Sequence, residues 1–219
     1  MKKIIITVDG PAASGKERIA KFIALKWKLK HLDSGILYRK LAYHLITNSI
    51  DINSPKKVVD SILSFNLVSF KKNKFLRDER ISLAASKIAV IKKVREYINN
   101  FQLDFVKNNN STKGFVVDGR DIGSVVFKNA NLKLYIEVNE ENRAKRRYKQ
   151  LIDSGQKSIY PKILREIKLR DKKDKNRKNS PLIVPNGAII INNNNKFSDT
   201  TKQINKLMEK LIKWTKVLI

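Results

Sequence analysis

Apolar residues follow two rhythms along this chain. Unbroken runs predict five short strands, at Lys3–Val8, about His31–Leu32, Phe115–Val117, Leu132–Val138 and Ala188–Ile191. Between them apolar positions recur at three- and four-residue spacing, the period of a helix with one buried face. Ile19, Ala20, Ile23, Ala24 and Trp27 form the first such stripe. Ser54–Pro55 reads as a cap and a proline at the first helical position, starting the stripe Val58, Val59, Ile62 and Leu63. Ile81, Ala84, Ala85, Ile88, Val94, Ile98, Phe101 and Phe105 predict a long helical region that breaks near Ile91. A last helix opens at about Ser198–Asp199 and buries Ile204, Leu207, Met208, Leu211 and Ile212. Continuously apolar strands alternating with helices imply a parallel sheet covered on both faces. No glycine- or proline-rich linker divides the 219 residues, so a single domain is expected.

Composition narrows the choice of partners. An apolar content of 42% supplies a core, and no apolar run reaches the length that spans a membrane. Met1–Ile6 starts like a signal peptide, but Asp9 arrives before an apolar segment can form. The absence of cysteine excludes disulfides and thiolate metal sites and fits a cytoplasmic protein. The net charge of +27 attracts any polyanion. Lysine, asparagine and isoleucine are used liberally throughout, as in Lys71–Lys74, Asn108–Asn110 and Asn192–Asn195. No zinc finger, aromatic RNA-binding motif or repeat accompanies the charge. It reads as compositional bias plus an anionic substrate, with no dedicated nucleic-acid binding.

The chemistry concentrates where strands end. Gly10–Pro11–Ala12–Ala13–Ser14–Gly15–Lys16 follows the first strand and opens a helix. Glycines there let backbone N–H groups turn inward on phosphate oxygens, and Lys16 and the helix N-terminus add positive charge. Such loops usually continue with Ser or Thr, whose hydroxyl meets Mg²⁺; here Glu17 and Arg18 follow. The strand Phe115–Val117 runs into Asp118, the expected carboxylate near a metal through water. Ser34, Tyr38 and Arg39 start another helix, where an anion and a base or ribose could be met. Arg120 and Asp121 lie just past a strand's carboxyl end, where open α/β sheets bind ligands, and Asp121 is expected on a pocket rim. Arg143–Arg147 and Arg165–Arg177 form two basic helices around the stretch Ser154–Ser158, the form of a lid over transferring phosphates. Arg170, Asp174 and Arg177, at i, i+4 and i+7, are placed on one helix face.

Together these residues resemble the bacterial cytidylate kinases, which are nucleoside monophosphate kinases. The resemblance rests on DGPAASGK (Asp9–Lys16), LDSGILYR (Leu32–Arg39), AASK (Ala84–Lys87) and VRE (Val94–Glu96). It continues through DGRDIGSVVF (Asp118–Phe127), RAKRR (Arg143–Arg147), EIKLRDKKDKNR (Glu166–Arg177) and SPL (Ser180–Leu182). It implies a P-loop NTPase fold: a parallel five-stranded sheet with helices on both faces, a mobile lid at about 145–165, and an NMP-binding region at about 35–110 with a shortened insert. The implied reaction moves the γ-phosphate of ATP, with Mg²⁺, to CMP or dCMP. ATP then falls to Gly10, Pro11, Ala12, Ala13, Ser14, Gly15, Lys16, Glu17, Arg18 and Arg147. Ser86, Arg95 and Asp121 read the cytosine edge, Arg39, Arg120 and Arg170 hold the acceptor phosphate, and Asp174 and Arg177 hold the ribose. Ser34 and Tyr38 line the acceptor pocket. Arg146 belongs to the lid and, with Lys16, Arg120 and Arg170, to the catalytic set, and Asp118 is the metal candidate. A monomer is implied.

Two departures accompany the match. The family loop ends Lys–Gly–Thr or Lys–Ser–Thr, and the family's acceptor-side insert is a small sheet. Here Asn66–Leu76 leaves room for a hairpin turning at Lys72–Asn73. Two other readings stay open: a kinase for UMP, whose 4-carbonyl cannot donate to Asp121, and a nucleotide- or RNA-binding protein with reduced kinase activity.

Overall fold

Ile4, Ile6 and Val8 are wholly buried, and a strand so apolar can only lie inside a sheet. The computed structural model describes residues 3–68, 74–110, 113–153 and 155–215, and this strand, β1 (Ile4–Asp9), is central in it. It pairs in parallel with β3 (Gly114–Gly119) on one side and β4 (Leu132–Glu137) on the other. β5 (Ile189–Asn192) lies against β4, and β2 (Lys30–Asp33) against β3. The five-stranded parallel sheet has the order β2-β3-β1-β4-β5. The expected strands are all present. β1 and β3 reach further than their apolar runs, to Asp9 and Gly119, because ladder pairing continues past the last apolar residue.

The chain divides into two compact units, Met1–Leu32 with Ser111–Ile219, and Asp33–Asn110. In the first, α1 (Lys16–Lys26) and α8 (Phe197–Thr215) pack on the sheet. Ile19, Ile23, Ile204 and Met208 meet Ile6, Val8, Val116 and Ile136 there. α8 opens one residue before the expected Ser198, at Phe197, whose ring meets Phe22 edge-on at 6.0 Å. α6 (Glu140–Asp153) and α7 (Tyr160–Asn176) bury Ala144, Leu151, Ile163 and Ile167 against each other. Arg177 therefore caps α7 in extended conformation, so the expectation that it shares the helical face is corrected.

The second unit is helical: α2 (Ser34–Thr47), α3 (Pro55–Ile62), α4 (Glu79–Ile88) and α5 (Lys92–Asn108), with a short 3-10 turn at Lys74–Arg77. The expected break near Ile91 separates α4 from α5. Asp33 caps α2 by accepting the Ile36 N–H at 3.1 Å, and Ser54 caps α3 ahead of Pro55. Leu41, Leu45, Val58, Ile88, Val94 and Ile98 are fully buried in this unit. The expected hairpin at Lys72–Asn73 lies outside the described residues. Among the described residues no helix is long and apolar enough to cross a membrane.

Parallel registry brings the ends of β1 and β3 level, with Asp9 opposite Gly119, while β4 runs two residues past Asp9's partner Tyr135, to Glu137. That edge is where an open α/β sheet presents its loops. Ile6→Ala, which empties the middle of the sheet, is expected to lower unfolding free energy by about 2–4 kcal/mol in urea titrations.

Candidate phosphate-binding site

The loop after β1 is held in a conformation few sequences tolerate. Ala13 has φ 57° and Gly15 φ 84°, both in the left-handed region. Gly15 is required twice, since a Cβ there would also lie 2.8 Å from the Asn193 amide nitrogen. Two of the loop's carbonyls are engaged: that of Pro11 accepts from Lys16 Nζ at 3.2 Å and from the Ser14 N–H at 3.4 Å, and that of Ala12 accepts from Arg143 at 3.2 Å. A planar peptide with its oxygen held on one side turns its N–H to the other. The Ser14 hydroxyl is buried with no hydrogen-bond partner among the described residues, as a group awaiting an anionic ligand would be.

Neighbouring segments brace this loop. The Asn193 amide, just past β5, donates to the Ser14 carbonyl at 2.8 Å, and its oxygen accepts from Thr200 at 2.8 Å. Arg146 donates to the Asn193 carbonyl at 2.7 Å and stands beside Gly15. Burial lowers the Arg146 pKa, and Arg18 adds to the effect. Arg18 stacks on Phe197 at 3.8 Å, Arg147 donates to Gln150 at 3.1 Å, and Glu17 is paired with Lys21 at 2.6 Å. That pairing offsets a carboxylate placed where phosphate charge is expected.

Asp9 ties the loop's base to the next functional segment. Wholly buried, its carboxylate accepts the N–H groups of Ile122 and Gly123 at 2.8 and 2.7 Å. These open a π-helical turn, Ile122–Val126, of a kind that concentrates at functional sites. Gly123 is obligatory, because a Cβ would stand 2.7 Å from the Thr7 hydroxyl. Burial pushes the Asp9 pKa up to about 7, although both amide bonds and Lys16 oppose it.

Arg120, Asp121, Asp174 and Arg177 converge on one charged cluster. Arg120 pairs with Asp174 at 3.1 Å, and Arg177 lies 3.7 Å from both Asp121 and Asp174. Burial alone would raise the Asp174 pKa, but Arg120, Arg170 and Arg177 together hold it below the usual carboxylate range. Asp121 is only 5% exposed, so its expected place on a pocket rim is corrected: the ion pair with Arg177 draws it inside. In the other unit, the Arg95 guanidinium lies over the Tyr38 ring at 5.8 Å and donates to the Ala89 carbonyl at 2.9 Å. Arg39 donates to the Leu76 carbonyl at 3.1 Å, Ser34 is buried at the start of α2, and Ser86 is half-buried on α4.

The metal candidate, Asp118, is the penultimate residue of β3, opposite Val8 of β1, and is 2% exposed. His31 Nε2 lies 2.6 Å from its Oδ1. Among the described residues no cluster of three or more metal-ligating side chains exists. Mg²⁺ carried by a nucleotide needs no such cluster, because phosphates and water supply most of its oxygens. Asp118 offers one hard carboxylate toward that requirement, with its Oδ1 already engaged by His31.

A parallel sheet with an amide-lined loop after its central strand defines a P-loop nucleotide-binding protein. Two solved structures share the fold. One, from Thermus thermophilus, superimposes with a TM-score of 0.51 at 14% identity, covering 96% of this chain and 99% of its own. The other, an uncharacterized protein from Eubacterium ventriosum, gives 0.53 at 15%, covering 95% and 99%. The family model described as cytidylate kinase matches residues 6–215. The cytidylate kinase of Rickettsia bellii is 44% identical over 191 residues, 87% of this chain and 85% of its own. That of Rickettsia africae is 42% identical over 187 residues, 85% of this chain and 82% of its own. The chain belongs to the cytidylate kinase family.

Sequence reasoning missed Asn193, Arg143, His31 and the carboxylate of Asp9 as parts of this site. Asp9 carried a signal, a charge at the end of an otherwise apolar strand, and Arg143 stood in the RAKRR run without being singled out from it. For Asp9 the folded state binds its proton more tightly than the unfolded chain, whose value is near 3.8. Its stabilising effect is therefore full at low pH and is lost as pH rises towards about 7. Relative to Asp9→Asn, the natural protein should lose about 4 kcal/mol of stability across that window in urea titrations.

Proposed function

We propose that this protein is a cytidylate kinase, transferring the γ-phosphate of ATP to CMP or dCMP to give CDP or dCDP and ADP in pyrimidine nucleotide metabolism. Family membership supports the reaction class. The observation that carries the mechanism is the loop itself, with its Pro11 carbonyl held by Lys16 and its Ala12 carbonyl by Arg143. An acceptor phosphate oxygen attacks the γ-phosphorus, the bond to the β-phosphate oxygen breaks, and ADP leaves with that electron pair. The protein supplies no covalent nucleophile. Its work is positioning and charge neutralisation.

In this reading the amides of Ala13 to Lys16 bind the donor's β-phosphate, and the Lys16 ammonium neutralises charge on the transferring group. Arg146, held by Asn193 beside Gly15, approaches the same phosphates, and Arg147, next to it on α6, adds positive charge. Arg120 and Arg170 hold the acceptor phosphate, and Asp174 and Arg177 its ribose. Asp121, fixed by Arg177, accepts a hydrogen bond from an exocyclic amine, which cytosine has and uracil lacks. Ser34, Tyr38, Arg39, Ser86 and Arg95 keep acceptor roles by their match to the family motifs. Asp118 would hold, through water, the Mg²⁺ that accompanies ATP, and the ion would supply charge neutralisation on the phosphates. The protein is expected to act as a monomer in the cytoplasm.

A coupled ADP-release assay with ATP, Mg²⁺ and CMP tests the proposal. Turnover with CMP well above that with UMP or AMP supports it, and nucleotide binding without ADP release sinks it. Lys16→Ala should lower kcat by about 10²–10³-fold with the melting transition retained. Asp121→Asn should reduce the CMP-over-UMP ratio of kcat/KM about tenfold, read in the same assay.

A further inference from the structure

Arg143 opens the basic run of α6, yet its neighbours Lys145, Arg146 and Arg147 reach the surface and Arg143 does not. It is 2% exposed, and each of its three guanidinium nitrogens donates a hydrogen bond. Nε donates to the Val138 carbonyl at 3.0 Å, one N–H to the Ala12 carbonyl at 3.2 Å, and another to Asp171 at 2.5 Å. One planar fork thus joins the end of β4, the loop after β1 and the middle of α7. No anion is needed to explain its charge.

We infer that Arg143, held in place by Asp171, is a positioning residue for the donor nucleotide, turning the Ala12–Ala13 peptide so that its N–H faces the phosphates. The inference rests on the nucleotide-binding reading of the loop and deepens it. Ala13, at φ 57°, occupies a region that side-chain-bearing residues leave unless their surroundings hold them there. Release of the Ala12 carbonyl lets that peptide flip, which takes one amide out of the phosphate ring. Lysine in place of Arg143 would keep the charge and could reach one acceptor, but not three.

Asp171 makes the same claim testable from a residue that does not touch the loop. It follows Arg170 directly and precedes Asp174 by three residues on α7. Its Oδ2 binds Arg143, and its Oδ1 makes no hydrogen bond among the described residues. Asp171→Asn can therefore offer its amide oxygen to Arg143 with little change of shape, at the loss of the charge that orients the fork.

The test uses the full-length protein and calorimetry with a non-hydrolysable ATP analogue and, separately, with CMP. Arg143→Lys should weaken the analogue about tenfold and Asp171→Asn about threefold, with CMP affinity within about twofold of the natural protein in both. Thermal melts run in parallel establish that each variant is folded. A merely structural role would lower both affinities together or leave both intact. Either result in a folded variant overturns the inference, and should Arg143→Lys fail to fold, Asp171→Asn decides the matter alone. Because binding of the analogue requires no acceptor chemistry, failure here is distinct from failure of the natural protein to release ADP with CMP.

Discussion

The capture of two carbonyl oxygens, those of Pro11 and Ala12, by two cations underlies the rest of this structure. Backbone amides bind phosphate well only if they already converge, because ordering them at the moment of binding would consume much of the interaction. Glycine gives the loop permission to converge but does not compel it. Compulsion comes from Lys16 within the loop, Arg143 from α6 and Asn193 after β5. The parallel sheet gathers the carboxyl ends of the strands on one side, so these segments can meet at one edge.

Buried carboxylates organise the other side of that edge. Asp9 fastens the π-helical turn, Asp174 gathers Arg120 and Arg177, and Asp121 is held by Arg177. Each acid fixes an arginine or a stretch of backbone at the strand ends. Buried ion pairs of this sort contribute little net stability, since desolvation offsets much of their attraction. Their value lies in holding arginines in single orientations, as transfer between two phosphates demands. Glu17 is the exception. Placed at the start of α1, it would repel a phosphate, and Lys21 one turn on takes up its charge.

Strands and helices were legible in the sequence because each is encoded by nearby residues. The apolar run Ile4–Val8, the Ser54–Pro55 cap and the break near Ile91 all correspond to observed features. The P-loop was legible for the same reason, as a contiguous motif. What escaped was set by contacts between residues distant in sequence. Nothing local distinguishes Arg143 from the arginines that follow it, and only tertiary packing against Ala12 and Asp171 buries it. Asn193 sits in a run of four asparagines that reads as compositional bias, and its partners are Ser14 and Thr200. Asp121 looked like a rim residue because Arg177 lies more than fifty positions away in the chain.

The most direct measurement is a nitrogen-15 spectrum of the loop amides during titration with ADP. If the loop is a preformed ring of inward donors, the Ala13, Ser14, Gly15 and Lys16 signals should move together and become protected from exchange as ADP saturates. Were those four signals to stay in place while others shifted, ADP would be bound elsewhere and the account would be wrong.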